Sequence, residues 1–420
     1  LTALNTATSL SDIESLVKGR AVGYSLDAPF YTSREIFDLD VAAIFAKHWL
    51  FCATEAEIPE PGDFVTVDIG PFSVIVVRDD DNLRAWHNVC RHRGSKILDA
   101  PCGAVGNLVC PYHQWTYRTD GSLIFAESQP PTFDQGRFGL KPVNVRSVSG
   151  LVFLCLSDEP PADLDEVAGV LEPYLTRYGL RSTKVGFQQD LVVEGNWKLV
   201  LENNRECQHC DASNPELVSA YFPLFGYSED DVPPRLRPVF ERYQAAATEL
   251  WTVCAATRFP RDERRELDTR VTGFQVSHLP LDGAGASFGP GGESVCKQLM
   301  GSIAEPRFGD LSVHMQPNSW FHFLSDHAVV FRALPLGPDR TLVRTTWLVH
   351  SDAVEGLDYD VESLTTVWRA TNNEDRSLIA KAQDGITSPG YEPGPYSLVE
   401  DDVEAFVNWY IGRLHEHISA

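Results

Sequence analysis

Four side chains in two short segments limit this chain more than anything else in it: Cys90 and His92 in NVCRHRGSKI, then Cys110 and His113 in NLVCPYHQWTY. Two thiolates and two imidazoles can hold zinc tetrahedrally. They can equally hold a [2Fe–2S] centre, with both cysteines on one iron and both histidines on the other. Each pair follows an apolar, strand-like run, LRAWHNV and GAVGNLV, and WTYRTDGSLI and LVFLCLS read as further short strands. Gly94, Pro111 and Gly121 mark turns. The spacing therefore predicts a small β domain with its ligands on two hairpin tips. Cys102, between the pairs, is expected to be a buried small hydrophobe in the connecting loop rather than a fifth ligand.

The pattern C-x-H-R…C-P-x-H-x-W resembles the signature of the Rieske ferredoxin domain and matches it in full. That resemblance implies a Rieske [2Fe–2S] cluster on Cys90, His92, Cys110 and His113. Neutral imidazoles in place of two thiolates raise the reduction potential, so such a centre passes single electrons and does no substrate chemistry itself.

An electron-transfer domain leaves most of the 420 residues unexplained, enough for a second domain. The net charge of -24, from 59 acids against 35 bases, argues against nucleic acid as a partner and fits a basic protein partner or simple solubility. No run is long and apolar enough for a membrane span. The first twenty residues are polar, without the basic and then apolar zones of a secretory signal. Nine cysteines spread over such a length are not a disulfide framework. A cytoplasmic setting with reduced thiols is the expectation.

In QQDLVVEGNWKLVLENNRECQHC, strand alternation gives way to helical spacing, and Asn196 can cap a helix starting at Trp197. Trp197, Val200, Leu201 and Asn204 share one helical face; Glu202, Glu206 and His209 share another. Pro215 drives Asn214 out of the α region, so the helix stops before it. Positions 209 and 214 would be about 140° apart on a continuous helix, but a chain that leaves the helix can fold 214 back towards His209. A third, oxygen ligand must then come from far along the sequence.

Beyond the Rieske signature, GNWKLVLENNREC with His209, PNSWFHFLSDHAVVFRALPLGP (317–338), TTWLVHSDAVEGLDYD (345–360) and TNNEDRSLIAKAQDGITSPGYEPGPYS (371–397) resemble the catalytic alpha subunits of Rieske non-haem iron oxygenases. The similarity is greatest to the branch that oxidises small quaternary ammonium compounds, the glycine betaine and choline monooxygenases and stachydrine demethylase. It implies an α+β fold: an N-terminal antiparallel β Rieske domain at 45–160, and a catalytic domain of antiparallel sheet surrounded by helices, at 1–44 and 161–420. It implies mononuclear Fe(II) held by His209, Asp375 and position 214. Glu206 takes the place of the carboxylate that bridges a neighbouring subunit's Rieske histidine to the iron-ligating one, and Asn203 that of an asparagine near the iron. Homotrimers with electron transfer between subunits are implied too, as are O2 as co-substrate and NADH or NADPH electrons delivered by a flavin reductase that carries a plant-type ferredoxin centre.

Position 214 departs from the pattern. The family places a histidine there, completing the two-histidine, one-carboxylate triad that leaves positions open for oxygen. This chain has Asn214, a neutral and weaker donor, and Gln208 where relatives often carry tyrosine. Asp211, Cys210 and Cys207 are the neighbours that can substitute. The implied reaction inserts one oxygen atom into a C–H bond beside nitrogen, and the carbinolamine then releases formaldehyde and a demethylated amine. Two alternatives stand beside it: oxidation of another small nitrogen compound, N-oxygenation included, and a Rieske electron-transfer or binding protein whose mononuclear site is impaired by Asn214.

A quaternary ammonium rests against aromatic faces, and Trp251, Phe274, Trp320, Phe321 and Phe323 are the candidates, with Cys207 and Gln208 tuning the pocket. His314, His322, His327 and His350 read as structural histidines. LDGAGASFGPGGES (281–294) lacks the lysine of a phosphate loop and reads as a flexible cover. Strands are expected within TRVTGFQVSHLP, LSVHMQPNSWFHFLS, HAVVFRALPLG and TLVRTTWLVHS, and a helix from Val361 to Ala382 carrying Asp375.

Overall fold

Alternating apolar residues in the first half of the chain pair into short antiparallel strands, as their period of two requires. In the computed structural model, which describes residues 9–224, 227–260, 264–267 and 273–419, these are β1 (Leu50–Thr54), β2 (Asp63–Ile69), β3 (Phe72–Asp79), β4 (Asn82–His87), β5 (Cys102–Ala104), β6 (Leu108–Val109), β7 (Thr116–Tyr117), β8 (Leu123–Phe125), β9 (Asn144–Val148) and β10 (Leu151–Cys155). They form three antiparallel sheets, ordered β4-β3-β2-β5, β6-β7-β8 and β1-β10-β9. A helix at Arg34–Asp40 leads into them and one at Leu164–Tyr178 leads out.

Two expectations change here. The second ligand pair does sit on a hairpin, between β6 and β7. The first sits on a connection from β4 to β5, on opposite edges of their sheet, because β3 and β2 stand between. Cys102 is exposed and lies in a strand, opposite Val65, where the edge position of β5 leaves its side chain open to water.

The second half builds one seven-stranded antiparallel sheet from β11 (Thr183–Val193), β12 (Arg264–Leu267), β13 (Phe274–Leu279), β14 (Asp310–Met315), β15 (Ser319–Phe323), β16 (Ala328–Gly337) and β17 (Arg340–His350), in the order β11-β17-β16-β15-β14-β13-β12. The stretch predicted as strand from Thr269 begins at Phe274; Thr269–Thr272 lie outside the described residues, as do residues 1–8 of the polar N-terminus. Long helices at Arg237–Thr257, Val361–Ile386 and Asp401–Ser419 pack around this sheet.

The predicted cap is present: Asn196 accepts from the Lys198 N–H at 3.0 Å and starts a helix at Trp197–Asn204. The Asn196 N–H also donates to Gln383 Oε1 at 2.8 Å. At the preceding Gly195 a Cβ would stand 2.4 Å from Ile379 Cγ2, so this junction seats directly on the Val361–Ile386 helix. Lys198 is fully buried against Asp40 at 2.6 Å, and Trp197 Nε1 and Tyr410 Oη donate to the same carboxylate. These contacts fix the start of the 197–204 segment relative to the helix that carries Asp375.

The single helical face expected for Glu202, Glu206 and His209 does not form. The helix ends at Asn204, Arg205 caps it, and His209 instead precedes a new turn, Cys210–Ser213. Glu202 turns away to accept from Tyr31 Oη at 2.9 Å. The Gly-rich segment 281–294 is a tightly hydrogen-bonded loop rather than a loose cover: Ala284 N–H donates to Gly291 O at 2.8 Å and Ala286 N–H to Gly292 O at 2.9 Å. Its Phe288 is buried against Trp368 and His322.

Candidate functional site

The two Cys/His loops share one backbone design. Cys90 N–H donates to Ser95 O and Cys110 N–H to Trp115 O, both at 2.8 Å, so each loop closes over five residues in the same way. The fourth residue after each cysteine, Gly94 or Gln114, takes a positive φ, of 76° and 57° respectively. Both sulfurs are buried while both histidines are exposed, with ring centroids 4.7 Å apart. His92 stacks on Trp115 at 4.9 Å. Two inward sulfurs and two outward imidazoles are the donor set for a [2Fe–2S] centre with one all-sulfur and one all-nitrogen iron. Tyr117 Oη accepts from the Arg91 N–H at 3.0 Å, which leaves its own proton for Cys90 Sγ at 3.3 Å. Burial pushes the Cys90 thiol up, and neighbouring Cys110 adds to this.

The second cluster gathers around His209. Its Nδ1 meets Glu206 Oε1 at 2.5 Å, and its Nε2 lies 3.2 Å from Asn203 Nδ2 and 3.4 Å from Asp375 Oδ1. Asn214, folded back by the break before Pro215, is fully buried and donates Nδ2–H to Asp375 Oδ1 at 2.9 Å and to Glu374 Oε2 at 3.2 Å. All five residues singled out in the sequence, Asn203, Glu206, His209, Asn214 and Asp375, thus lie in one hydrogen-bonded group. Glu374 was missed; its only signal was adjacency to Asp375 in NNEDR.

Burial alone would depress the His209 pKa, but Asp375 and Glu206 outweigh it and raise the value to about 9. The space between these two carboxylates therefore favours a cation, whether proton or metal. The Asn214 Oδ1 is buried and has no hydrogen-bond partner, and a half-turn of the amide would offer that oxygen where Nδ2 now stands. One imidazole, one carboxylate and one amide oxygen fit a ferrous ion, with a weaker third donor than histidine would give. At His209 and Asp375 no further His, Cys or carboxylate side chain among the described residues completes a three-donor metal position, and the third donor offered there is the Asn214 amide.

The neighbours considered as substitutes point elsewhere. Asp211 pairs with Arg235 at 2.9 Å; of the two residues expected to tune the pocket, Cys207 lines the cavity, whereas the exposed Gln208 accepts from Ser397 Oγ at 3.2 Å. Cys207 and Cys210 form a disulfide across the turn that holds His209, contrary to the reduced thiols expected; a Cα separation of 5.0 Å puts them in bonding reach. The other seven cysteines form no disulfide.

A cavity of about 870 Å³ opens from His209 and Asp375. Tyr221, Phe222, Phe240, Tyr243 and Trp368 supply its aromatic faces, and β13 and β14 supply a polar floor through Ser277, Ser312 and His314. None of the aromatics expected from the sequence lines it. Phe274, Phe321 and Phe323 lie in the core, Trp251 packs against that core, and Trp320 stacks on Phe331 at 4.8 Å. Strand alternation turns Phe274, Phe321 and Phe323 away from the cavity, since Gln275, Ser277 and His322 on the same strands face it, while Trp251 lies on the Arg237–Thr257 helix; the rings that line the cavity come mostly from the chain between 221 and 243. His322, expected to be structural, does bond Asp310 at 2.8 Å yet also borders the cavity. His327 pairs with Asp326, and His350 accepts from the Asp352 N–H, both away from it.

Residues 48–144 match the family model described as the Rieske [2Fe-2S] domain, and residues 180–416 that of the ring hydroxylating alpha subunit (catalytic domain). The chain is 43% identical over 411 residues to a glycine betaine monooxygenase oxygenase subunit of Chromohalobacter salexigens, covering 96% of this chain and 89% of that protein. It is 40% identical to a subunit of the same description from Pseudomonas aeruginosa, over 95% and 91% of the two chains. Among solved structures, the quaternary ammonium Rieske monooxygenase CntA with gamma-butyrobetaine superposes with a TM-score of 0.67 at 21% identity, over 96% and 98% of the chains, a likeness of fold. Two matched domains, and sequence identity at this level along nearly the whole chain, make this protein a member of the Rieske non-haem iron oxygenases, as a catalytic alpha subunit.

Proposed function

We propose that this chain is the oxygenase component of a monooxygenase that oxidatively N-demethylates a small betaine or related quaternary ammonium compound, with electrons from a partner reductase. The observation that carries the reading is His209 held between Glu206 and Asp375, with Asn214 closing the group, at the end of an aromatic-lined cavity. The relatives named glycine betaine monooxygenase support the substrate class.

Each residue has a definite duty in this reading. Cys90, Cys110, His92 and His113 hold the [2Fe–2S] cluster. His209 Nε2 and Asp375 hold ferrous iron, and Asn214 offers its amide oxygen. When bound, that iron supplies dioxygen activation for inserting one oxygen atom into a substrate methyl group. Glu206 accepts the His209 Nδ1 proton, which fixes the ring tautomer and leaves Nε2 for the metal. Asn203, whose Nδ2 lies 3.2 Å from His209 Nε2, occupies that nitrogen in the absence of metal and would give it up to the iron. Tyr221, Phe222 and Tyr243 exclude water and meet the ammonium with their π faces. Two electrons, two protons and O2 convert N–CH3 into N–CH2OH and water; the C–N bond then breaks, giving the tertiary amine, formaldehyde and a proton.

NADH or NADPH enters through a flavin reductase, and the acidic surface suits a basic partner face. His92 and His113 are exposed beside Val89, Val109 and Tyr112, a face open to docking that suits electron transfer within a homotrimer. We assign the Rieske domain to 45–160, the catalytic domain to 1–44 and 161–420, and the protein to the cytoplasm; among the described residues no helix is long and apolar enough to cross a membrane.

A second reading, an electron-transfer or binding protein, is favoured by the amide donor at position 214. Reductase-coupled turnover with betaines, followed by mass detection of demethylated amine and formaldehyde, separates the two. No product from protein with both centres filled would leave only the second.

A further inference from the structure

One cation on the cavity wall has no use in the chemistry described so far. Arg205 lines the cavity, yet only 4% of it is exposed, and its Nε and Nη2 donors are buried with no hydrogen-bond partner among the described residues. Only Nη1 is engaged, by Asn204 Oδ1. The carboxylate that most influences it, Asp402, is already taken by Arg264 at 2.5 Å and by Gln275 at 3.4 Å. A buried guanidinium with idle donors is costly, and the cost is relieved when an anion arrives.

Its surroundings are arranged for such an anion. His314, also on the cavity floor, has a buried Nδ1 with no partner. Burial and then the charge of Arg205 hold this imidazole well below its usual pKa, so it stays neutral and adds a polar atom without a second charge. A guanidinium repels a quaternary ammonium, which confines the ammonium to the aromatic rings and to the carboxylates Glu206 and Asp375. The cavity wall thus carries both signs: Arg205 near the Arg264–Asp402 pair, and the carboxylates Glu206 and Asp375 at His209.

We propose that Arg205 binds the carboxylate of the substrate, and that the enzyme thereby selects zwitterionic betaines over cationic ammonium alcohols and esters. The proposal rests on the cavity being the site of an N-methylated amine, as read above. Arg205 would present Nε and Nη2 to the two carboxylate oxygens, a planar fork that lysine cannot reproduce. Selection then has two parts: a charge-assisted contact for the betaine, and a buried unpaired cation left behind by any analogue without the carboxylate.

The test needs no variant to begin. Binding of glycine betaine, its methyl ester and choline to the iron- and cluster-loaded protein is measured by calorimetry. Glycine betaine should bind about 10- to 100-fold more tightly than the other two. Arg205→Gln and Arg205→Lys, checked for an unaltered Rieske visible spectrum, are then compared on the same ligands. Arg205→Gln should lose that preference, mainly by weakening betaine binding, and Arg205→Lys should restore part of it. Equal affinity of the wild type for betaine and ester, or a preference that survives Arg205→Gln, overturns the proposal. If the variants fail to fold, the wild-type comparison still decides. Failure of every methylammonium compound to bind or turn over would instead refute the function on which the proposal rests.

Discussion

Asn214 donates an N–H to Asp375 at 2.9 Å while its own amide oxygen, buried, meets no partner. In the site proposed above, the side chain thus stands at the third ligand position, yet turns a donor towards the carboxylate proposed as a ligand. Asn214→His would place an imidazole nitrogen there. Iron affinity should rise by about 10- to 100-fold, the range seen when a metal site gains or loses supporting contacts. Iron per chain after dialysis against a graded chelator series checks this. An unchanged affinity would show that Asn214 is not what limits metal binding.

At the cluster, the Tyr117 hydroxyl reaches Cys90 Sγ at 3.3 Å. A hydrogen bond to a ligating sulfur stabilises the reduced, more negative cluster and raises its potential. Tyr117→Phe removes one such bond, worth about 1 kcal/mol. For a one-electron couple that lowers the midpoint by about 40 mV. Square-wave voltammetry on the intact protein reads it directly, and a shift upward or none would contradict the contact.

These two sites differ in how far the sequence revealed them. The four Cys/His positions were legible as a metal-binding set from their C-x-H and C-x2-H spacing, which left zinc and iron–sulfur open until the family signature was added, and Asn196 and Pro215 marked where the local helices begin and stop. Convergence of His209, Asn214 and Asp375 came from family resemblance; spacing alone cannot bring residues from 209 and 375 together. The break at Arg205 escaped detection because the helical period continues through NNRECQH although the helix does not. The cavity rings were mistaken for the same reason that strand aromatics mislead in general: period two says a residue faces one side, not which side is core. Arg205 and Lys198 gave no signal, since a buried cation is visible only once its surroundings are known.

The Cys207–Cys210 bridge brackets His209 and closes a small loop around it. Protein unfolded without reductant and treated with an alkylating reagent should therefore expose seven thiols, matching the seven cysteines outside the bridge, and all nine after reduction. Mass spectrometry of the alkylated chain counts them. Nine labelled cysteines before reduction would mean that the turn holds two thiols instead, and the His209 loop would be less restrained.

Acid sensitivity should have an origin in two buried histidines outside the His209 cluster. His278 is fully buried, its Nε2 bonded to Phe308 O at 2.8 Å, and burial lowers its pKa to about 4. His48, bonded through Nδ1 to Ile44 O at 2.8 Å, is lowered to about 4 for the same reason. Both are neutral in the fold, while the unfolded chain takes up a proton at each below about pH 6.5. The stability they contribute is present above that value and is lost as the pH falls towards 4, by about 1.4 kcal/mol per pH unit for each group. Urea denaturation midpoints measured between pH 7.5 and 4.5 should decline with a slope that His278→Gln makes shallower by one proton's worth, even though the variant starts from a lower stability at pH 7.5. A slope unchanged by the substitution would mean that His278 is not among the groups that set the acid limit.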